Sequence, residues 1–310
     1  MRAITLNEPD TQPAHREELS EPTPADNEVL VRVHASSVNP VDGSIAAGLL
    51  AGMGVEYEYP VTLGRDYAGT VEQTGSAVSG FKAGDQVFGF LLHADPTAHD
   101  GAWTELITVA EDLSIALVPD GVGLATAGAA PLAGITAITA VDALELSEGD
   151  VLLVAGATGG VGSLAVQLAV KAGATVVAPA LPEDEEFLRG LGVSEIVPRD
   201  GDVAAAVRER FPDGVDALLD LVNYAPGTYD AAIKDGAPIA SPTGAAGDGP
   251  GRTMVMAAPT TENLQRLGTL LANETLRVPI QATYPLAQAP EALAALTGGH
   301  TQGKVAIEVR

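Results

Sequence analysis

The residues best suited to chemistry lie in one run, Val151-Leu-Leu-Val-Ala-Gly156-Ala-Thr-Gly159-Gly160-Val-Gly162-Ser-Leu-Ala-Val-Gln-Leu-Ala. It opens as an apolar strand, passes through a glycine-rich turn and continues as an apolar helix. Such a turn leaves free N–H groups at the helix start. Without side chains, its backbone can approach an anion closely. A diphosphate needs that arrangement, so Thr158, Gly159, Gly160 and Val161 are expected to lie against one. The spacing Gly156, Gly159, Gly162 is a variant of the dinucleotide fingerprint. A glycine triplet alone says little, but here a second strand follows in register, Thr175–Ala178.

The end of that second strand should tell one dinucleotide from another. An acid there holds a ribose 2′-hydroxyl, and a base holds a 2′-phosphate. The segment reads Ala178-Pro-Ala-Leu-Pro-Glu183-Asp-Glu-Glu186, with neither at the strand end. The four acids that follow suit the start of a helix, where they favour its dipole. Arg199, just beyond the third strand, is either a reach to a 2′-phosphate or a surface arginine. Other chemistries find little support. The chain has no cysteine, which excludes disulfides, thiolate nucleophiles and cysteine zinc sites. His15, His34, His93, His99 and His300 show no ligand spacing and read as surface or core residues. No Ser-His-Asp set or carboxylate pair suggests hydrolysis.

These residues need a scaffold, and 310 residues suffice for two domains. The first hundred read as short strands and turns: Arg2–Leu6, Glu28–Val38, Ala68–Thr74, Asp85–Phe90 and Trp103–Val109. That texture predicts a small β-barrel-like domain. Leu124–Leu146 reads as helices packed on all sides. From Asp150 strand and helix alternate, which predicts an α/β doubly wound parallel sheet. Ser241–Arg252 reads as a mobile loop, Glu262–Asn273 and Pro285–Leu296 as helices, and Lys304–Val309 as a strand returning to the first domain. The expected division is 1–120 with 262–310, and 121–261. The net charge of -25 argues against nucleic-acid or membrane-surface partners. The uncharged stretches Leu124–Val141 and Val151–Val170 are too rich in Ala, Gly and Thr to read as membrane spans. No targeting segment is visible, and a cytoplasmic location is expected.

Several further motifs fall in a fixed order: Ala35-Ser-Ser-Val-Asn39-Pro-Val-Asp42, Leu63-Gly64-Arg65-Asp66-Tyr67-Ala-Gly69, Gly84-Asp85-Gln-Val-Phe-Gly89, Gly101-Ala-Trp103-Thr-Glu105, Pro131-Leu-Ala-Gly134-Ile-Thr136-Ala and Gly303-Lys304-Val-Ala-Ile. Together they resemble the medium-chain dehydrogenase/reductase superfamily, and within it the zinc-free quinone oxidoreductase type, over nearly the whole chain. The resemblance implies a GroES-like β-barrel domain, a Rossmann domain and a cleft between them. It implies NADPH as cofactor, with NADH possible, and a quinone or enone as substrate. Homodimers are common in such a family, so a homodimer is expected. Zinc-dependent relatives carry a His-Glu pair after the glycine matched by Gly64. This chain has Arg65-Asp66, so no catalytic metal is expected.

The site residues implied are Asn39, near nicotinamide or substrate, and Thr136. Leu221, Val222 and Asn223 are placed near ribose or nicotinamide, Ser241 and its loop over the cofactor, and Met256 or Ala257 beside the nicotinamide. The chain departs from the pattern at three places. Ser44 stands where a tyrosine is frequent, no lysine follows the second Rossmann strand, and Asn223 replaces a common glycine. Ser44 and Tyr57 are therefore the candidates for proton or hydrogen-bond donor. Tyr57 and Tyr59 also read as packing residues. The reaction implied is hydride transfer to the electron-poor carbon of a conjugated carbonyl. The alternatives are a specialised enoyl reductase or biosynthetic tailoring enzyme, and a non-catalytic NAD(P)H-binding protein.

Overall fold

The computed structural model describes residues 1–55, 57–92, 97 and 99–310. His93 falls outside them. The chain begins with β1 (Ala3–Leu6), β2 (Ala14–Arg16) and the long β3 (Glu28–Val38), followed by the short helix α1 (Pro40–Ala46). Then come β4 (Val61–Thr62), β5 (Asp66–Thr74), β6 (Gln86–Phe90), β7 (Leu106–Ala110) and β8 (Ala116–Leu117). In β3, Val29, Val31 and Val33 alternate into a core that also holds Ile4, Leu6, Tyr67 and Trp103. Val29, Val31 and Val33 are β-branched, which suits a pleated, half-buried surface, and Trp103 and Tyr67 are among the largest fully buried side chains.

Helices α2 (Leu124–Ala129) and α3 (Pro131–Ala143) follow. Helix α3 is buried on most sides, from Pro131 to Val141, as its lack of a polar stripe requires. Next come β9 (Val151–Ala155), α4 (Gly160–Lys171), β10 (Thr175–Ala180), α5 (Glu185–Leu191), β11 (Glu195–Pro198), α6 (Val203–Arg210), β12 (Ala217–Asp220), β13 (Ile239–Ser241) and β14 (Arg252–Met254). The six strands form one parallel sheet in the order β11-β10-β9-β12-β13-β14. Read from β9 this is the doubly wound order 3-2-1-4-5-6. Both faces are covered. Leu152, Val154 and Val176 enter one core, while Leu153, Val177 and Leu218 enter the other. Burial on both faces explains why β9 reads as a continuous apolar run.

The last elements are α7 (Thr261–Ala272), β15 (Ile280–Pro285), α8 (Ala289–Gly298) and β16 (Lys304–Glu308). Helix α7, expected with the barrel, packs on α3 and also reaches barrel residues, since a Cβ on Gly268 would lie 3.5 Å from Phe88 Cζ. Leu264, Leu267 and Leu271 join the Rossmann-side core, and a Cβ on Gly134 would lie 2.6 Å from Leu267 Cδ1. The chain rejoins the barrel sheet at Ile280, where β15 runs parallel to β16 and β16 antiparallel to β3. Ile280–Pro285 is a strand, so the helix expected from Pro285 starts at Ala289. Among the described residues no helix is long and apolar enough to cross a membrane.

Candidate active site

The glycine turn lies at the C-terminal end of β9, in the middle of the sheet, where open α/β sheets bind ligands. Gly162 is required by packing, since a Cβ there would fall 2.1 Å from the Gly156 carbonyl oxygen. Gly159 differs. A Cβ on it would meet nothing closer than that same oxygen at 3.6 Å, so the protein itself leaves the space above it open. Gly159 caps α4 in an extended conformation, and the first amides of a helix have no intrahelical acceptor. Open room over free N–H groups fits a dinucleotide diphosphate. Thr158, Gly159, Gly160 and Val161 are all partly accessible here.

The barrel side meets this turn through Gly303 and through Lys304, the first residue of the last strand. Gly303 N donates to the Thr158 carbonyl at 2.7 Å, and Gly159 and Gly303 form a parallel bridge. The stem of Lys304 then passes Gly160, where a Cβ would lie 2.7 Å from Lys304 Cδ. Its ammonium donates to Asn39 Oδ1 at 2.6 Å and to the Val38 carbonyl at 3.1 Å. It also lies 3.5 Å from Asp66 Oδ2. Asn39 Nδ2 donates to Asp66 Oδ2 at 2.7 Å, as does Ser37 Oγ at 2.5 Å. The other Asp66 oxygen accepts the Leu132 N–H of α3 at 2.7 Å. One carboxylate thus gathers groups from β3, α3 and β16.

Asn39, Asp42, Asp66, Arg65 and Lys304 are all buried. Isolated charges are costly to bury, so each must be compensated. Arg65 donates to the carbonyls of Gly64, Leu92, Thr62 and Asp100. Burial lowers its affinity for a proton, and the negative fields of Asp100 and Asp42 oppose this. Burial likewise pulls the Lys304 ammonium below the ordinary lysine range, opposed mainly by Asp66. Asp42 accepts the Asn39 backbone N–H at 2.7 Å at the start of α1, while its Oδ1 has no hydrogen-bond partner among the described residues. Burial pushes its pKa up to about 7, against the opposing effect of the Asn39 N–H.

The remaining expected residues distribute unevenly. Thr136 lies one turn along α3 from Leu132, with its hydroxyl on the Leu132 carbonyl at 2.7 Å. Ser44 turns back on the Pro40 carbonyl at 3.4 Å. Tyr57 packs edge-on against Tyr59, with ring centroids 6.2 Å apart, on the barrel core. Leu221 and Val222 follow β12 at the same end of the sheet as the glycine turn. Leu221 lies close to Gly156, and Val222 is exposed. Asn223 faces inward: its Nδ2 donates to Asp220 Oδ2 at 2.8 Å and its N–H to Asp220 Oδ1 at 3.0 Å. Its φ is not positive, which explains why glycine is dispensable there. Ser241 is buried too, its hydroxyl 2.9 Å from Thr243 Oγ1. Thr243 in turn donates to the Asn223 carbonyl. These bonds pin the start of the loop expected to be mobile. Met256 is exposed, and Ala257 packs on the Rossmann-side core.

At the end of β10, Asp184 is fully buried, as its helix-start reading allows. It accepts from the Leu181 N–H, from Gln302 and, at 2.6 Å, from His300. His300 is therefore more than a surface histidine, since it ties the approach to β16 to the Rossmann half. Arg199 is half exposed beside this strand end, its N–H on the Ala180 carbonyl. Sequence reading assigned no role to Asp66, Asp42 or Lys304. The signal available was a charged residue set within otherwise apolar strand sequence, at Asp66 and Lys304.

Comparison with known proteins agrees with this fold. Residues 25–120 match an alcohol dehydrogenase GroES-like domain, and residues 191–307 match a family described as zinc-binding dehydrogenase. A chloroplast envelope quinone oxidoreductase homolog of Arabidopsis thaliana is 31% identical, over 93% of this chain and 91% of the relative. An NADPH-dependent alkenal/one oxidoreductase of the same plant is 31% identical over 91% of this chain and 72% of its own. The solved quinone oxidoreductase of Coxiella burnetii superimposes with a TM-score of 0.85 at 28% identity, covering 100% of this chain and 99% of the other. With a GroES-like barrel, a Rossmann sheet in the 3-2-1-4-5-6 order and full-length relatives of this kind, the chain belongs to the quinone oxidoreductase-like family of the medium-chain dehydrogenase/reductase superfamily.

Proposed function

We propose that the protein is an NADPH-dependent reductase that delivers hydride to the electron-poor carbon of a quinone or α,β-unsaturated carbonyl, without zinc. The observation that carries this reading is the Gly303–Lys304 bridge, which sets an open glycine turn directly against the polar cluster at Asn39. When bound, the nicotinamide supplies the hydride. The chain's own residues hold the diphosphate at Thr158–Val161, keep water from the buried cluster and donate a hydrogen bond from Asn39 to the carbonyl oxygen as it gains charge.

NADPH over NADH is favoured because the buried carboxylate at the end of β10, Asp184, is engaged by three donors, while Arg199 stands half exposed beside it. Zinc independence is favoured by the donor set. Cysteine is absent, and Arg65 places a buried cation where a metal ligand would be needed. The reading includes a cytoplasmic homodimer. Strand β14 ends the Rossmann sheet with an outer edge unpaired among the described strands, and such an edge can pair with a second copy.

The test is anaerobic oxidation of NADPH and NADH by the purified protein, with a panel of quinones and enones. Turnover with NADPH preferred is the expected result. Binding of NADPH with no turnover on any acceptor would favour a non-catalytic role instead. Turnover confined to one narrow acceptor would favour the specialised enoyl or tailoring enzyme.

A further inference from the structure

We propose that Lys304 is a positioning residue that fixes the Asn39 amide with its remaining N–H toward the cleft and links that orientation to the seat of the dinucleotide. The inference rests on the reading of Asn39 as a donor to the substrate oxygen.

An ammonium can only donate and an ionised carboxylate can only accept. With Lys304 Nζ 2.6 Å from Oδ1 and Asp66 Oδ2 2.7 Å from Nδ2, the amide has one allowed orientation, because the flipped amide would oppose like groups at both ends. One N–H of Nδ2 is left over. The ammonium on Oδ1 also withdraws charge from the amide, and linked hydrogen bonds of this kind strengthen the outer donor. A developing oxyanion is best served by such a preorganised N–H.

The link to the cofactor seat is physical. The residue before Lys304 is bonded to the Thr158 carbonyl, and the lysine stem lies against Gly160. Upstream, His300 and Gln302 are held on Asp184 at the end of β10. The segment His300–Lys304 thus runs along the cofactor side of the cleft and ends on the catalytic amide. A shift of the turn moves the lysine stem, and with it Asn39.

A purely structural role, in which Lys304 only neutralises Asp66, predicts a different result from a double-mutant cycle. The cycle compares wild type, Lys304→Arg, Asn39→Ala and the double variant, each for kcat with one enone and for NADPH affinity by fluorescence quenching. Arginine keeps the charge but not the single short contact. The expected result is a fall in kcat of about 100-fold for Lys304→Arg with NADPH affinity changed by less than about threefold. In the Asn39→Ala background the same substitution should lower kcat by less than about twofold. Equal losses in both backgrounds, or a loss carried entirely by NADPH affinity, would overturn the inference and leave the reductase reading intact. Asn39→Ala with unchanged kcat would remove the reading of Asn39 and the inference together. If Lys304→Arg fails to fold, Lys304→Met/Asp66→Asn, which removes both charges, takes its place in the same cycle.

Discussion

At the glycine turn the chain withdraws its side chains, and the backbone leaves an opening over the start of α4. At Asn39, a single residue of contact away through Lys304, the chain crowds two acids, two cations and an amide into a buried space. The first region works by what it omits, the second by mutual compensation. Substitutions should therefore act in opposite ways. In the cluster they should cost stability, because a partner is left unpaired in a dry site. At the turn they should cost stability only where a Cβ meets protein, and otherwise cost binding alone.

The largest effect is expected from Asp66→Ala. It leaves Lys304 buried without its carboxylate, and breaking a buried pair costs about 3–5 kcal/mol. Chemical denaturation would read it, and a loss under 1 kcal/mol would mean that the cluster takes up water. Asp42→Asn should change how stability depends on pH. The folded state holds the Asp42 proton up to about 7, whereas the unfolded chain releases it near 3.8. Wild-type stability therefore loses a contribution as pH rises from about 4 to about 7, worth on the order of 4 kcal/mol when complete. Carboxylates held low by their partners, Asp184, Asp216, Glu105 and Asp85, slope the other way but in both proteins alike. The difference between the two curves should thus move toward the variant across that window. Parallel curves would contradict the assignment.

At the turn, Gly162→Ala should cost about 1–3 kcal/mol by overpacking against the Gly156 carbonyl. Gly159→Ala should leave stability within about 0.5 kcal/mol yet weaken NADPH binding by about tenfold, about 1.4 kcal/mol. Isothermal titration and thermal unfolding on the same samples separate the two. A Gly159→Ala protein that binds normally would show that the opening is not the diphosphate seat. The smallest effect should come from Arg266→Ala. It removes a half-exposed ion pair between α7 and Asp142 of α3, and such pairs contribute under about 1 kcal/mol.

The same contrast explains what the sequence disclosed. The turn was legible because its requirement is local: strand, glycines and helix follow one another, and β9 begins and ends where its apolar run does. The long strand β3 was equally plain from alternation. The cluster was not legible, because Asp66 gathers donors from residues 29 and 66 positions away and Lys304 reaches back 265 positions to Asn39. No local pattern records such partners. The surroundings of helix α7 were hidden for a related reason. Its apolar face fits any neighbouring core, and its close approaches, Leu267 to Gly134 and Gly268 to Phe88, lie on both α3 and the barrel. The inward turn of Asn223 was hidden too, since a side chain that pins its own loop looks the same in sequence as one offered to a ligand.

The central claim is hydride transfer from a nicotinamide held at the turn to an acceptor beside Asn39. Its most direct test is to run the reaction with NADPH deuterated at the nicotinamide C4 and an acyclic enone, and to examine the product by mass spectrometry and NMR. The account predicts one deuterium on the carbon β to the carbonyl, with the α-carbon proton taken from solvent. NADPH that binds but transfers no label to any enone or quinone would contradict it.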